Sequence, residues 1–406
     1  MSGIGIGGST IEAELASAQN MREDALAISL DEYKARIKKA KDIMRTQNID
    51  ALYLDSTTSL TYFTGIKSHQ SERLLGAIIP ANGDLYYICP QFEAETVKEK
   101  MKLIGDLVGW EEHESPYEIL IQSLRDRNIK SGTVAIDEKA QFFVVDGLQK
   151  VASDFSFING NVVTSACRVI KSKSEITLLQ QAKNLTLEVH KAAARILHKG
   201  ITTTEVKKFI DDMHRAMGAD NGSTFCIVLF GEPTAYPHGV SYPQNLKEGD
   251  MVLIDTGCSI HGYQSDITRT YCFGNPTEKQ IEIWNLEKKA QKAAFDAAQI
   301  GTACGDVDKA ARDVITAAGL GPDYQVPGLP HRTGHGIGMD VHEDTYLVRG
   351  NKTPLASGMC FSNEPMICIY GEFGVRLEDH FYMTDEGPKW FTDPSHSITD
   401  PFGLEA

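Results

Sequence analysis

The sequence predicts an α+β protein of two domains, a smaller α/β domain followed by a larger one with helices on an antiparallel sheet. Three observations predict this. The chain has 406 residues, too many for one ordinary small domain. Up to about residue 165, helix-like and strand-like segments alternate. Beyond residue 220, two helical stretches aside, short strand-like runs are separated by glycines. We therefore divide the chain into an N-terminal arm (1–28), an α/β domain (29–165) and a second domain (166–406).

The elements follow in order. Residues 1–28 are polar and rich in Gly, Ser and Ala, as a loose arm would be. Tyr33, Ile37, Ala40, Ile43 and Met44 recur near the helical period. Ala51-Leu-Tyr-Leu, Leu74 to Pro80 and Asp84 to Cys89 read as strands, and Asn82-Gly83 is a hairpin turn between the last two. Val134-Ala-Ile-Asp137 opens a later strand. Ser174 then caps a long amphipathic helix reaching about His198, and Gly200 stops it. Helical patterns return over about 277–299 and 305–319.

Composition narrows the function. Hydrophobic residues are 42% and charged residues 23% of the chain, enough for a sizeable core and normal for a soluble protein. The net charge of −15 repels phosphate backbones, which argues against a nucleic-acid partner. The eight cysteines include no CxxC pair and sit beside apolar residues, so they read as reduced thiols of a cytoplasmic protein. Residues 1–8 have neither the basic nor the apolar region of a signal peptide. No run approaches the roughly 18 apolar residues of a membrane span.

Four runs carry the chemistry. In Val252-Leu-Ile-Asp255-Thr-Gly, an apolar strand delivers Asp255; after a Gly-containing turn, Asp266 opens the strand Ile267-Thr-Arg-Thr-Tyr-Cys-Phe. A buried carboxylate is costly, and two side by side need a cation. An Asx turn plus an N-cap is the plain structural alternative. The second run, His331-Arg-Thr-Gly-His335-Gly-Ile-Gly-Met-Asp-Val-His342-Glu343, sets three histidines among glycines that let the backbone approach a ligand closely. The third and fourth, Ser362-Asn-Glu364-Pro and Val375-Arg376-Leu-Glu378-Asp379, place glutamates in apolar segments, where Glu is rare unless paired or metal-bound. For Glu378 the plain alternative is a salt bridge to Arg376, which shares its strand face. Four carboxylates and one imidazole suit Mn2+, Co2+ or Zn2+ better than a thiolate-bound structural zinc. Two divalent ions would neutralise the four carboxylates.

In order and spacing these residues resemble the pita-bread metallopeptidases, which include methionine aminopeptidase, aminopeptidase P, prolidase and creatinase. The intervals from His335 to Glu364 and from Glu364 to Glu378, and the segment Pro237-His238-Gly-Val, are most similar to prolidase, in particular the small bacterial Xaa-Pro dipeptidases. The likeness extends along the whole chain, so it implies a creatinase/prolidase-type N-terminal domain before a pita-bread domain. It also implies two metal ions per subunit, Mn2+ foremost with Zn2+ or Co2+ as alternatives, held by Asp255, Asp266, His335, Glu364 and Glu378. A bridging hydroxide would cleave an Xaa-Pro dipeptide, with Glu364 as general base and then acid. His238 and His342 would flank the substrate as catalytic and binding groups. Arg376 would bind the substrate carboxylate or else orient Glu378, and Thr268 would hydrogen-bond a ligand carboxylate. The resemblance further implies a homodimer. Phe225 stands where some relatives have a tyrosine, which removes any hydroxyl role there.

The competing readings are aminopeptidase P-type cleavage of longer Xaa-Pro peptides, organophosphate hydrolysis as a side activity, metal-free creatinase-like chemistry, and a binding protein that has lost its ligands. The last two conflict with five ligand positions all filled by the expected residue types.

Overall fold

A computed structural model describes residues 3–22 and 25–404. The chain separates into two compact units, residues 28–168 and residues 3–27 together with 169–404.

The first unit is built on a six-stranded mixed sheet. Its strands run in the order Asp106–Trp110, Tyr86–Pro90, Gly76–Pro80, Ala51–Asp55, Gly132–Ile136 and Phe155–Asn159. Ala51–Asp55 is buried at every position and pairs parallel to Gly132–Ile136 but antiparallel to Gly76–Pro80. Its apolar run is what a strand covered on both faces requires. The helix Leu30–Gln47 packs Ile37, Ala40 and Met44 inward and ends at Asn48 in the left-handed region.

In the second unit, helices flank antiparallel sheets. One sheet contains Ser223–Phe230, Met251–Ile260 and Ile267–Cys272. Another contains Glu343–Leu347, Gly334–Gly336, Cys360–Asn363, Asp379–Thr384 and Gly387–Trp390. Met366–Ile369 and Phe373–Arg376 form a separate ribbon. Helices Glu278–Ala297 and Cys304–Ala317 bury Trp284, Ala290, Ala294, Val307, Ala311 and Ile315 in one core with Phe361 and Phe381 of the strands. Among the described residues, no helix is long and apolar enough to cross a membrane.

Three local details differ from the sequence expectation. The long helix is Lys173–Arg195, capped by Ser172 rather than Ser174, because Glu175 completes a reciprocal capping box with Ser172. A further helix, Thr203–Ala216, carries the same device through Thr202 and Glu205. The supposed loose arm is ordered against the second unit. Backbone bonds join Gly7 to Ala194 and Met21 to Met217, Glu14 takes a two-pronged ion pair from Arg195 at 2.6 and 2.9 Å, and Arg22 reaches Asp220 at 2.6 Å. Glycine and serine here serve close backbone approach rather than disorder.

Candidate metal centre

Asp255 and His335 lie within strands, and Asp266, Glu364 and Glu378 directly flank strand ends. Asp255 lies within Met251–Ile260, directly across from Thr268. The chain reverses through His261 and Gly262, both at positive φ, and returns with Asp266 just ahead of Ile267–Cys272. Gly257 is required between the two aspartates, since a Cβ there would sit 1.9 Å from the Ser265 carbonyl oxygen. His335 occupies the short strand Gly334–Gly336; its backbone N–H donates to Ser362 Oγ at 2.9 Å and its Nδ1 contacts the Gly336 carbonyl at 3.0 Å. That contact directs Nε2 into the site. The Glu364 N–H donates to the Thr333 carbonyl, and the Glu378 N–H to the Thr268 carbonyl. Thr268 Oγ1 also donates to Glu378 Oε2 at 2.8 Å.

These contacts converge on one buried cluster. Three trios have donor atoms mutually within 4.8 Å: Asp266, His335 and His342; Asp266, Glu378 and His380; His335, Glu364 and Glu378. Asp255 stands outside the trios, with Oδ2 paired to Arg376 at 2.5 Å. Asp255 Oδ1, Asp266 Oδ1 and His335 Nε2 are buried without a hydrogen-bond partner. His335 Nε2 is 3.2 Å from Glu364 Oε1 and 3.6 Å from Asp266 Oδ2, but without hydrogen-bond geometry, so these are charge contacts.

Burial dominates the electrostatics. It pushes Asp255 up to about 8 despite Arg376, and drives Glu378 well above the usual carboxylate range. At His335 burial is outweighed by Asp266 and Glu364, which raise the imidazole to about 9. At Glu364 burial is likewise outweighed, chiefly by His335, and the carboxylate falls to about 2. An acid-rich cluster with buried, unpartnered oxygen and nitrogen atoms suits hard or borderline divalent cations.

The remaining predicted residues fall at the rim or behind the ligands. His342 is exposed, with its ring centroid 4.0 Å from that of His335, and burial followed by the His335 charge lowers its pKa. His238 is exposed on the loop after the turn Glu232–Ala235 and joins none of the trios. Arg376 is buried and placed differently from the expectation. Besides Asp255 it donates from Nε to Thr268 Oγ1 at 3.1 Å and from Nη1 to the Pro237 carbonyl at 3.0 Å. Its guanidinium is thus committed to Asp255 and to the loop bearing His238, rather than to Glu378 or an open carboxylate pocket. Phe225 packs its ring near Gly257 and offers only a backbone carbonyl, to Thr256.

Some supporting residues were not evident from the sequence. Asp379 is wholly buried, paired to Arg269 at 2.7 Å and to Gln291 at 2.9 Å. Glu343 pairs with Lys171 at 2.7 Å inside the protein. The usable signal was charge inside an apolar strand at Arg269, matched by charge at Asp379.

Comparison with known proteins agrees with this geometry. Residues 177–385 match metallopeptidase family M24, and residues 36–170 match the creatinase/prolidase N-terminal domain. The putative dipeptidase YkvY of Bacillus subtilis is 33% identical over 356 residues, covering 87% of this chain and 96% of that protein. The crystal structure of a prolidase from Thermococcus sibiricus superposes with a TM-score of 0.81 at 30% identity, covering 89% of this chain and 97% of that one. The dipeptidase PepE of Mycobacterium ulcerans gives 0.83 at 30% identity, covering 92% and 99%. A creatinase/prolidase-type domain followed by a pita-bread domain is thus shared with these peptidases, and the chain belongs to metallopeptidase family M24.

Proposed function

We propose that this peptidase hydrolyses Xaa-Pro dipeptides at a centre of two divalent metal ions. The observation that carries the reading is the cluster of Asp266, His335, Glu364 and Glu378, with Asp255 held nearby on Arg376, and unpartnered polar atoms on Asp255, Asp266 and His335. Those five residues would hold the ions, with Mn2+ the best match to an oxygen-rich set and Zn2+ or Co2+ as alternatives. Bound there, the ions would supply Lewis-acid polarisation and a water of lowered pKa.

The chain's own residues supply the rest. Glu364, held ionised, accepts the proton of the attacking water and returns it to the departing proline nitrogen. His342, kept neutral beside His335, donates an N–H to the carbonyl oxygen as negative charge builds there. His238 covers the proline side from a loop that Arg376 tethers through the Pro237 carbonyl. Proline has no N–H in the scissile bond, so recognition must come from shape and apolar contact. The short interval between Glu364 and Glu378 favours dipeptides over longer peptides in this reading.

The test is a panel of Xaa-Pro, Xaa-Ala and Xaa-Pro-Yaa peptides assayed with Mn2+, Co2+ and Zn2+. Preferential turnover of Xaa-Pro is expected. Efficient cleavage of tripeptides with poor dipeptide turnover would transfer the assignment to aminopeptidase P-type activity. Glu364→Gln should lower kcat by about 10²–10⁴-fold; a near-normal rate would remove Glu364 from its role.

A further inference from the structure

We propose that His380 is a positioning residue of the metal centre which, with Thr268, divides the two oxygens of Glu378 between two cations. The proposal rests on the dinuclear reading above.

His380 is two residues beyond Glu378, so the two side chains share one face, and it sits opposite Ser362 in the adjacent strand. The imidazole is fully buried. Its Nε2 lies 3.2 Å from Glu378 Oε1, and its Nδ1 has no partner. These two facts choose the tautomer. A proton on Nδ1 would bury a donor with no acceptor and aim the Nε2 lone pair at a carboxylate oxygen. A proton on Nε2 donates to Oε1 and leaves only an unused lone pair.

The other oxygen is held in the same manner. Thr268 Oγ1 accepts from Arg376 Nε, so its own proton is directed to Glu378 Oε2. Each Glu378 oxygen therefore receives one donor and keeps one lone-pair direction open. Chelation of a single ion by both oxygens would compete with both hydrogen bonds, whereas bridging uses what remains. Glu378 belongs to two of the donor trios, as Asp266 and His335 also do, so it stands between Asp266 on one side and His335 and Glu364 on the other.

The test is titration calorimetry of metal-stripped protein with Mn2+ and Co2+. Wild type, His380→Leu, His380→Gln and Thr268→Val are compared, with chelator thermal melts as a folding control. Leu removes the donor; Gln retains one near the Nε2 position. The expected result is two binding events in wild type. His380→Leu should weaken one by about 10–100-fold while sparing the other, and His380→Gln should restore most of the loss. Thr268→Val, at nearly unchanged volume, should reproduce the Leu pattern, so the idea stays testable if the Leu variant does not fold. Two events of wild-type affinity in the Leu or Val variant, or equal losses in Leu and Gln, would overturn the proposal. A wild-type chain that binds a single ion would instead overturn the dinuclear reading, and the proposal with it.

Discussion

Replacing Arg376 by methionine should destabilise the protein far more without metal than with it. The guanidinium is buried against Asp255 at 2.5 Å, and its other nitrogens hold Thr268 Oγ1 and the Pro237 carbonyl. Above about pH 8, where Asp255 is ionised, removing one partner of this buried ion pair leaves the other charge uncompensated, at about 3–5 kcal/mol. The two further hydrogen bonds weigh less. Thr268 keeps its bond to Glu378, and the Pro237 carbonyl lies next to exposed His238. Burial already pushes Asp255 up to about 8, so without Arg376 it becomes neutral over a wider pH range and presents a poorer ligand. Cations on Asp255 would replace the lost positive charge. At about 2–4 °C per kcal/mol for units of this size, the melting temperature in chelator should fall by roughly 6–20 °C. In saturating Mn2+ it should fall by less than half as much, with weaker metal affinity and a raised KM from the loosened His238 loop. Scanning calorimetry with and without metal, alongside peptide kinetics, measures each part. Equal losses in both conditions would refute charge replacement as the reason.

Three other outcomes are expected. In chelator, Asp255 at about 8 and His335 at about 9 hold protons that the unfolded chain releases near 4 and 6.5. Stability should therefore fall as pH rises from about 6 to 9 and recover with divalent metal; Glu364, at about 2, works oppositely, losing its contribution only below about 4.5. A melting temperature in chelator that is flat or rises over pH 6–9 would contradict this. Asp379→Asn leaves Arg269 charged and buried, so denaturant melts should show a loss of roughly 3 kcal/mol or more, and a loss under about 1 kcal/mol would count against a structural ion pair. Gly257→Ala drives a Cβ into the Ser265 carbonyl and should abolish metal binding by displacing the aspartate hairpin; calorimetry showing unaltered binding would speak against that clash.

The candidate site was legible because acids inside apolar runs violate the expectations of burial, and the hairpin from Asp255 to Asp266 is local enough to infer from spacing. Their supports were not. Arg376 meets Asp255 across 121 residues and Arg269 meets Asp379 across 110, and no periodicity encodes such pairings. Arg376 stands two residues before Glu378, which suggested a pairing between those neighbours; in the fold Arg376 ends a strand of the separate ribbon and its guanidinium meets Asp255 of another sheet instead. The helix Thr203–Ala216 was readable in principle, since Thr202 and Glu205 form a capping box, and the same rule separates Ser172 from Ser174. The N-terminal segment was read by composition alone, and composition cannot register that Glu14 and Arg195, 181 residues apart, will pair.

That segment also has a consequence for biosynthesis. Residues 3–27 belong to the unit completed by residues 169–404, with 28–168 interposed. As the chain leaves the ribosome, the interposed unit has all its strands before the first residue that Glu14 or Arg22 will bind is made. This segment is thus made before the interposed unit and finds its partners only after it, across a long chain separation whose closure slows assembly of the catalytic half.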